Sequence, residues 1–520
     1  MFINKRVSKL KKFPNKLISV MIVAAMLLSV VPASVFADKA DTSDDLTTIY
    51  SYGYLTYYIN DDNTITIYGC NPSAVTIDIP SEIDGNSVTS IGSDAFYDCD
   101  SLTSINIPNG VTSIGSSAFA YCRSLTSLTI PDSVTSIGYD AFYYCNSLTN
   151  INIPNGVTSI GSSVFSNCSN LTSITIPNSV TLICYDTFLH CINLSSINVE
   201  EDNPKYSSMN GVLFNKDKTV LVCCPGAKTG TYTIPNSVKN IGNYAFSDCS
   251  SLTSINIPDS VTSIGNNAFS DCSALTGINL PNKIVSIGIY AFSGCNSLTS
   301  ITIPNSVISI KYGAFNGCNN LTNITIPNSI TIINTWMLVA CKGLTNITIP
   351  NSVTSIDRGA FDGCSNLTSI TIPNSVTSIQ WEAFSGCSSL TNVYYSGTEE
   401  EWNNIDIGSS NEDLTNAVIH YNSNVSVITP ISDKINVTKD INGDKFVFTV
   451  TPVEGETVDL SGIQLFAAEY SDDYVVTDIK SGINEEFENG VQLTVDIPQS
   501  ENYKLYIWDD NMHPLIEAVQ

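Results

Sequence analysis

Apolar residues recur at a spacing of 23 along most of this chain. One unit, Cys122 to Tyr144, reads CRSLTSLTIPDSVTSIGYDAFYY; its apolar set is Cys122, Leu125, Leu128, Ile130, Val134, Ile137, Ala141 and Phe142. Cysteine shows the register best. Cys99, Cys122, Cys145, Cys168 and Cys191 are each 23 apart, and so are Cys249, Cys272, Cys295, Cys318, Cys341, Cys364 and Cys387. A fixed period of about 20–50 residues signals a solenoid, whose coils bury their apolar faces only by stacking on one another. The core becomes a set of ladders of Cys, Leu, Ile and Phe. The L-x-x-I-x-I segment alternates and predicts a short parallel strand, which the following Pro ends because it has no N–H to donate. The A-F-x-x-C segment predicts a short helix, a 3₁₀ turn or a plain turn on the opposite side.

The period breaks once and then stops. From Cys191 to Cys249 the gap is 58 residues instead of 46. Within it, Gly211–Val222 predicts two strands around an Asn-Lys-Asp-Lys turn, so a hairpin protrudes from a variant coil. The repeat spans 62–421, after an N-terminal segment at 38–61, and closes with an exit cap at about 393–421. A linker, 422–425, leads to 426–520. There, about seven strand-like runs, such as Lys445–Val450 and Tyr503–Ile507, predict a small all-β sandwich of immunoglobulin-like type.

The start of the chain is an address. Residues 1–16 are basic, Leu17–Val31 is an apolar run of fifteen, and Pro32–Ala37 ends in a cleavage-type sequence. This is the three-part layout of a secretory signal peptide over 1–37. The run is short for a membrane span, which needs about 20 apolar residues. The mature chain, with no further span, is expected outside the cytoplasm.

Charge narrows the partners. The full chain has 22 basic and 49 acidic residues, and six of the basic ones lie before residue 38, so the rest carries 16 minus 49, or −33. Such a surface repels phosphate backbones and excludes nucleic acid. Three histidines leave little material for acid–base chemistry or metal sites, and no H-E-x-x-H, G-x-S-x-G, Walker loop or CxxC pair is present. The expectation is a protein without catalysis, cofactor or metal. Sixteen cysteines in an exported chain raise the question of disulfides. Stacked coils set ladder cysteines about 4.8 Å apart with parallel Cβ vectors, which disfavours the disulfide torsion. They read as buried, inert thiols. Redox chemistry has one candidate, the adjacent pair Cys223-Cys224.

The pattern A-F-x-x-C-x-x-L-T-S-I-x-I-P-x-S-V-T-S-I-G resembles the bacterial BspA-like leucine-rich-repeat proteins, over about two thirds of the chain from Asp62 to Tyr421. The L-x-x-L-x-L signature of such repeats is visible in Leu125, Leu128 and Ile130. The resemblance implies a secreted or surface-associated protein that binds other proteins, often of a host or neighbouring cell, as an adhesin does. It carries over no particular binding residue.

Two surfaces offer themselves to a ligand. The outward strand columns, among them Thr302, Thr325, Thr348 and Thr371 with Ser300, Asn323, Asn346 and Ser369, hold neither charge nor rings. Their simplest role is to hydrogen-bond along the stack. The turn before A-F is more varied. It carries Tyr139, Tyr185, Tyr312 and Trp381 at one offset and Tyr244, Tyr290 and Trp336 at the next. Tyr and Trp combine a large apolar face with a polar handle and are frequent binding anchors; the same rings could instead cover core. This edge predicts a protein or glycan ligand outside the cell. The readings are an adhesin-type protein binder, a glycan-binding accessory protein of a polysaccharide-using bacterium, or a spacer presenting the end domain.

Overall fold

The computed structural model describes residues 48–422 together with the backbone of eight strands between 435 and 519. The expected signal peptide at 1–37 lies outside the described residues, as do residues 423–425 of the expected linker. The repeats form a β-solenoid of about 15 turns of roughly 23-residue coils. The chain divides into two compact units, 1–228 and 229–520.

The first unit opens with antiparallel strands Tyr50–Tyr52, Leu55–Ile59 and Ile65–Cys70. From there pairing turns parallel: Ile65 of the third strand aligns with Val88 in Asn86–Ile91. Each coil then has two strand columns where the sequence predicts one. The expected column runs through Thr76–Asp78, Ser104–Asn106, Ser127–Leu128 and Asn150–Ile151. The second comes from V-T-S-I and includes Ser113–Ile114 and Ser136–Ile137. After Asn86–Ile91 its strands are two residues long, too short to stand out by alternation.

The third side, A-F-x-x-C, is a turn and not a helix. Inside the coil, Ala120 N–H donates to Ser117 and Cys122 N–H to Phe119. Between them, Ser117, Phe119 and Tyr121 donate to the carbonyls of Tyr139, Ala141 and Tyr143 in the next coil. Alternate N–H groups therefore point along the stack, and a left-handed backbone at Ser117 (φ 52°) and Tyr121 (φ 62°) makes this possible.

All eight apolar positions of the Cys122 unit are buried. Phe96, Phe119 and Phe142 stack with centroids 5.0 and 5.4 Å apart and nearly parallel planes. The ladder cysteines are thiols with a partner: Cys122 Sγ–H donates to the Phe96 carbonyl at 3.1 Å, Cys145 to Phe119 and Cys168 to Phe142. A small apolar side chain that also satisfies a buried carbonyl explains why cysteine fills this column.

The variant region does not protrude. Tyr206–Met209 joins the two expected strands, Val212–Asn215 and Val220–Cys223, in an antiparallel meander. Val212, Leu213, Phe214 and Leu221 are fully buried, so four apolar side chains tie it to the core. Asn203, itself buried, holds its start. Its amide donates to the carbonyls of Pro177 and Val180, and its oxygen accepts from the N–H groups of Lys205 and Tyr206.

The second unit repeats the scheme from Thr229–Thr233 onward. Within it, Phe246, Phe269, Phe292 and Phe315 form a ring stack at 5.1 to 5.4 Å. The stack ends at a short helix, Glu399–Asn403, whose capping box pairs Thr398 with Glu401. Its Trp402 packs edge-on against buried Tyr395 and shields the last coil. Farther along, the chain forms two four-stranded antiparallel sheets, one including Lys445–Pro452 and the other Tyr503–Trp508. The strand without a sequence counterpart is Ile483–Phe487.

Candidate functional site: the aromatic turn edge

The variable turn offers two positions per coil, one just before the residue that precedes Ala and one at that residue. The second is left-handed: Asp94, Ser117, Asp140, Asn267, Gly313 and Gly359 all have positive φ there. Asp, Asn and Gly suit that region, while a bulky side chain in it is unusual and calls for a reason. Tyr244 (φ 56°), Tyr290 (φ 51°) and Trp336 (φ 56°) occupy it nonetheless.

Four of the seven predicted rings come together in the second unit. Tyr290 meets Tyr312 edge-on at 5.1 Å, and Tyr312 meets Trp336 at 5.1 Å. Arg358 continues the run, with its guanidinium carbon 5.9 Å from the Trp336 centroid and 4.1 Å from that of Trp381. Glu382 pins the guanidinium at 3.4 Å, and Trp381 Nε1 donates to Ser410 Oγ at 3.3 Å. Trp381 is 42% exposed. Burial first, then its hydrogen bond to Tyr312, pushes the Tyr290 hydroxyl up to about 12, so it stays a neutral donor at physiological pH.

Two glycines give these rings room. A Cβ at Gly313 (φ 61°) would collide with the Tyr290 ring, and one at Gly359 (φ 60°) would meet the Trp336 indole. Gly313→Ala is expected to lose about 1–2 kcal/mol of stability, from the left-handed backbone and the displaced ring. Denaturant unfolding checks this; a loss below about 0.3 kcal/mol would show that the ring has nothing to gain from the gap.

The other three predicted residues stand apart. Tyr139 and Tyr185, in the first unit, are 49% and 57% exposed and touch no ring among the described residues. Tyr244 is half-buried and likewise outside the run. The uncharged strand columns are largely exposed, Ser369 and Thr371 being half-buried, and several of their amides bond along the stack, as Asn256 does to Thr233 at 3.1 Å.

The structure adds a second patch that the sequence reading passes over. Tyr97, Tyr121, Tyr143 and Tyr144 cluster in the first unit, Tyr121 touching the other three rings at 5.0 to 5.4 Å. Arg123 lies over Tyr121 at 5.0 Å and bridges to Asp98 at 3.3 Å and Asp100 at 2.6 Å. Its signal is Tyr next to the Phe or Cys of the repeat, in F-Y-D-C, A-Y-C and F-Y-Y-C, where adjacent core positions mask it.

The repeat geometry has a counterpart in known proteins. The profile of the BspA type leucine rich repeat region matches in six copies over residues 89–216, 223–337 and 286–407. The chain belongs to the BspA-type leucine-rich-repeat family. No curated protein matches it in sequence. A leucine-rich repeat protein from Eubacterium ventriosum is 28% identical, with 70% of this chain and 94% of that one covered and a TM-score of 0.50. The pneumococcal vaccine antigen PcpA shares the fold at 21% identity, over 72% and 98% of the two chains, with a TM-score of 0.52. A leucine rich cell surface protein of Faecalibacterium prausnitzii is 29% identical over 70% and 99%, at a TM-score of 0.46. The BspA-type match covers both aromatic patches. Among the described residues no helix is long and apolar enough to cross a membrane, and no group of three or more His, Cys, Asp or Glu side chains is placed to hold a metal.

Proposed function

We propose that the chain is a secreted or surface-associated, non-catalytic binding protein that attaches to a protein of a host or neighbouring cell. The observation that carries this reading is the run Tyr290, Tyr312, Trp336, Arg358, Trp381, in which three half-buried rings and the exposed Trp381 line up across successive coils, with Arg358 bridging the two indoles. Membership of a bacterial repeat family with surface-protein members supports the interaction role. Anchors of Tyr, Trp and Arg in one rigid patch are the residue types that dominate protein interfaces. The rings are pre-placed, two of them in the left-handed region, so binding orders few side chains. The exported location rests on the signal-type segment at 1–37, and the two C-terminal sheets are read as an immunoglobulin-like sandwich.

A panel of extracellular-matrix proteins, plasma proteins and polysaccharides against residues 38–520 tests the reading. Saturable binding to a protein, competed by that protein in solution, is the expected result. Saturable binding to polysaccharide alone would replace it with the glycan-accessory reading, and a blank panel with the spacer.

A further inference from the structure

After residue 37 the chain has two arginines, Arg123 and Arg358, and both lie over aromatic rings while a carboxylate pins them. In the first unit the surroundings are acidic. Asp94, Asp98 and Asp100 are exposed in the coil that carries Tyr97, and Arg123 faces two of them. One guanidinium therefore already occupies part of the Tyr97, Tyr121, Tyr143, Tyr144 patch. It shows what the patch accepts: a planar cation, stacked on a phenol face and hydrogen-bonded by carboxylates. Tyr97 is 50% exposed with no guanidinium over its ring among the described residues, and Tyr144 extends the stack from Tyr121 at 5.0 Å. Tyr121 (φ 62°) and Tyr144 (φ 59°) hold these rings in the left-handed region, where the equivalent residues of most other coils are Asp, Asn or Gly, with His190 and Ala340 as the exceptions.

We infer that this tyrosine–aspartate patch is a second binding surface, and that it takes arginine side chains from a basic segment of a protein partner. The inference names the partner's chemistry and rests on the reading of the chain as a protein binder. The charge of 16 minus 49, or −33, after residue 37 favours such a segment over an acidic one and steers its approach. Rings that select a guanidinium distinguish it from a merely cationic surface, because arginine stacks on aromatic faces better than lysine does. Arg123 is then an internal competitor that holds Tyr121, Asp98 and Asp100 until a partner arrives.

Octa-arginine and octa-lysine peptides, titrated into residues 38–520 at two ionic strengths, provide the probe. The expected order is octa-arginine tighter than octa-lysine by at least threefold. Tyr97→Leu with Tyr144→Leu, which changes no charge, is expected to weaken octa-arginine at least tenfold. Arg123→Gln is expected to tighten it at least threefold, beyond the effect of Lys205→Gln, which removes the same charge at an exposed site of the same unit. Circular dichroism confirms that each variant keeps its fold. Equal affinities for both peptides with no response to the tyrosine pair would mean unselective charge attraction and would overturn the inference. So would weaker binding in Arg123→Gln, or saturation by a neutral polysaccharide in place of the peptide. None of these results touches the Trp336 and Trp381 surface, so this inference can fail while the proposed function stands.

Discussion

Replacing Phe292 by Ala is expected to destabilise the second unit by about 3–5 kcal/mol. Phe292 is fully buried and lies between Phe269 at 5.1 Å and Phe315 at 5.4 Å, its plane nearly parallel to both. Truncation removes its transfer energy, leaves a cavity, and breaks two ring contacts worth about 0.5–1.5 kcal/mol each. A solenoid has only nearest-neighbour interfaces, so no distant contact compensates. The column tolerates a branched aliphatic, since Leu338 occupies the same place between Phe315 and Phe361 and is fully buried. Phe292→Leu should therefore cost about 1 kcal/mol. Urea unfolding, followed by the fluorescence of Trp336, Trp381 and Trp402, measures both. A Phe292→Ala variant as stable as Phe292→Leu would contradict the ladder account.

The second large effect is alkaline. Burial raises the thiols of Cys145, Cys168, Cys272, Cys295 and Cys341 well above the ordinary value of 9.0, and pushes Cys318 and Cys364 up to about 12. Below pH 9 the folded and unfolded chains both hold these protons, so stability does not depend on pH through them. Above pH 9 the unfolded chain releases them and the folded chain does not. The unfolded state then binds fewer protons, and stability falls as pH rises. Each thiol contributes about 1.4 kcal/mol per pH unit. Burial raises Cys122 of the first unit and Cys387 of the second in the same way, so the second unit, with more such thiols, loses stability more steeply with pH than the first. Urea midpoints at pH 8, 9 and 10 in the presence of a reductant should fall steeply over the last interval. Cys295→Ala should reduce the slope by about 1.4 kcal/mol per unit. Midpoints that stay level from pH 8 to 10 would mean that the thiols are not held protonated in the core.

The coil was legible because its burial is periodic. Every apolar residue of the Cys122 unit appears at its 23-residue image, and all are buried. Two things were not. After Asn86–Ile91 the V-T-S-I strands are two residues long, and their pairing comes from coil stacking, not local propensity. The left-handed positions flanking A-F show only as a preference for Asp, Asn, Ser and Gly, which also mark ordinary turns. The site was half legible. Columns of Tyr and Trp pointed to one edge, yet the contacts cross columns, from Tyr290 to Tyr312 and back to Trp336. That crossing follows from ring size and from the gaps at Gly313 and Gly359, which no single column reveals. Tyr121 and Tyr144 were hidden because they adjoin Cys122 and Cys145 and share the core period.

The central claim is that the aromatic edge of the second unit makes the contact with the partner. Its most direct test is the affinity of the Trp336→Ala, Trp381→Ala double variant for a protein selected by the wild-type chain, beside a Thr325→Ala, Thr348→Ala control on the strand face. Loss of a central aromatic anchor typically costs about 2 kcal/mol or more, a factor of about 30. The account predicts at least that loss for the tryptophan pair and less than threefold for the threonine pair, with both variants folded. Unchanged affinity in the tryptophan variant, or a greater loss in the threonine one, would contradict it.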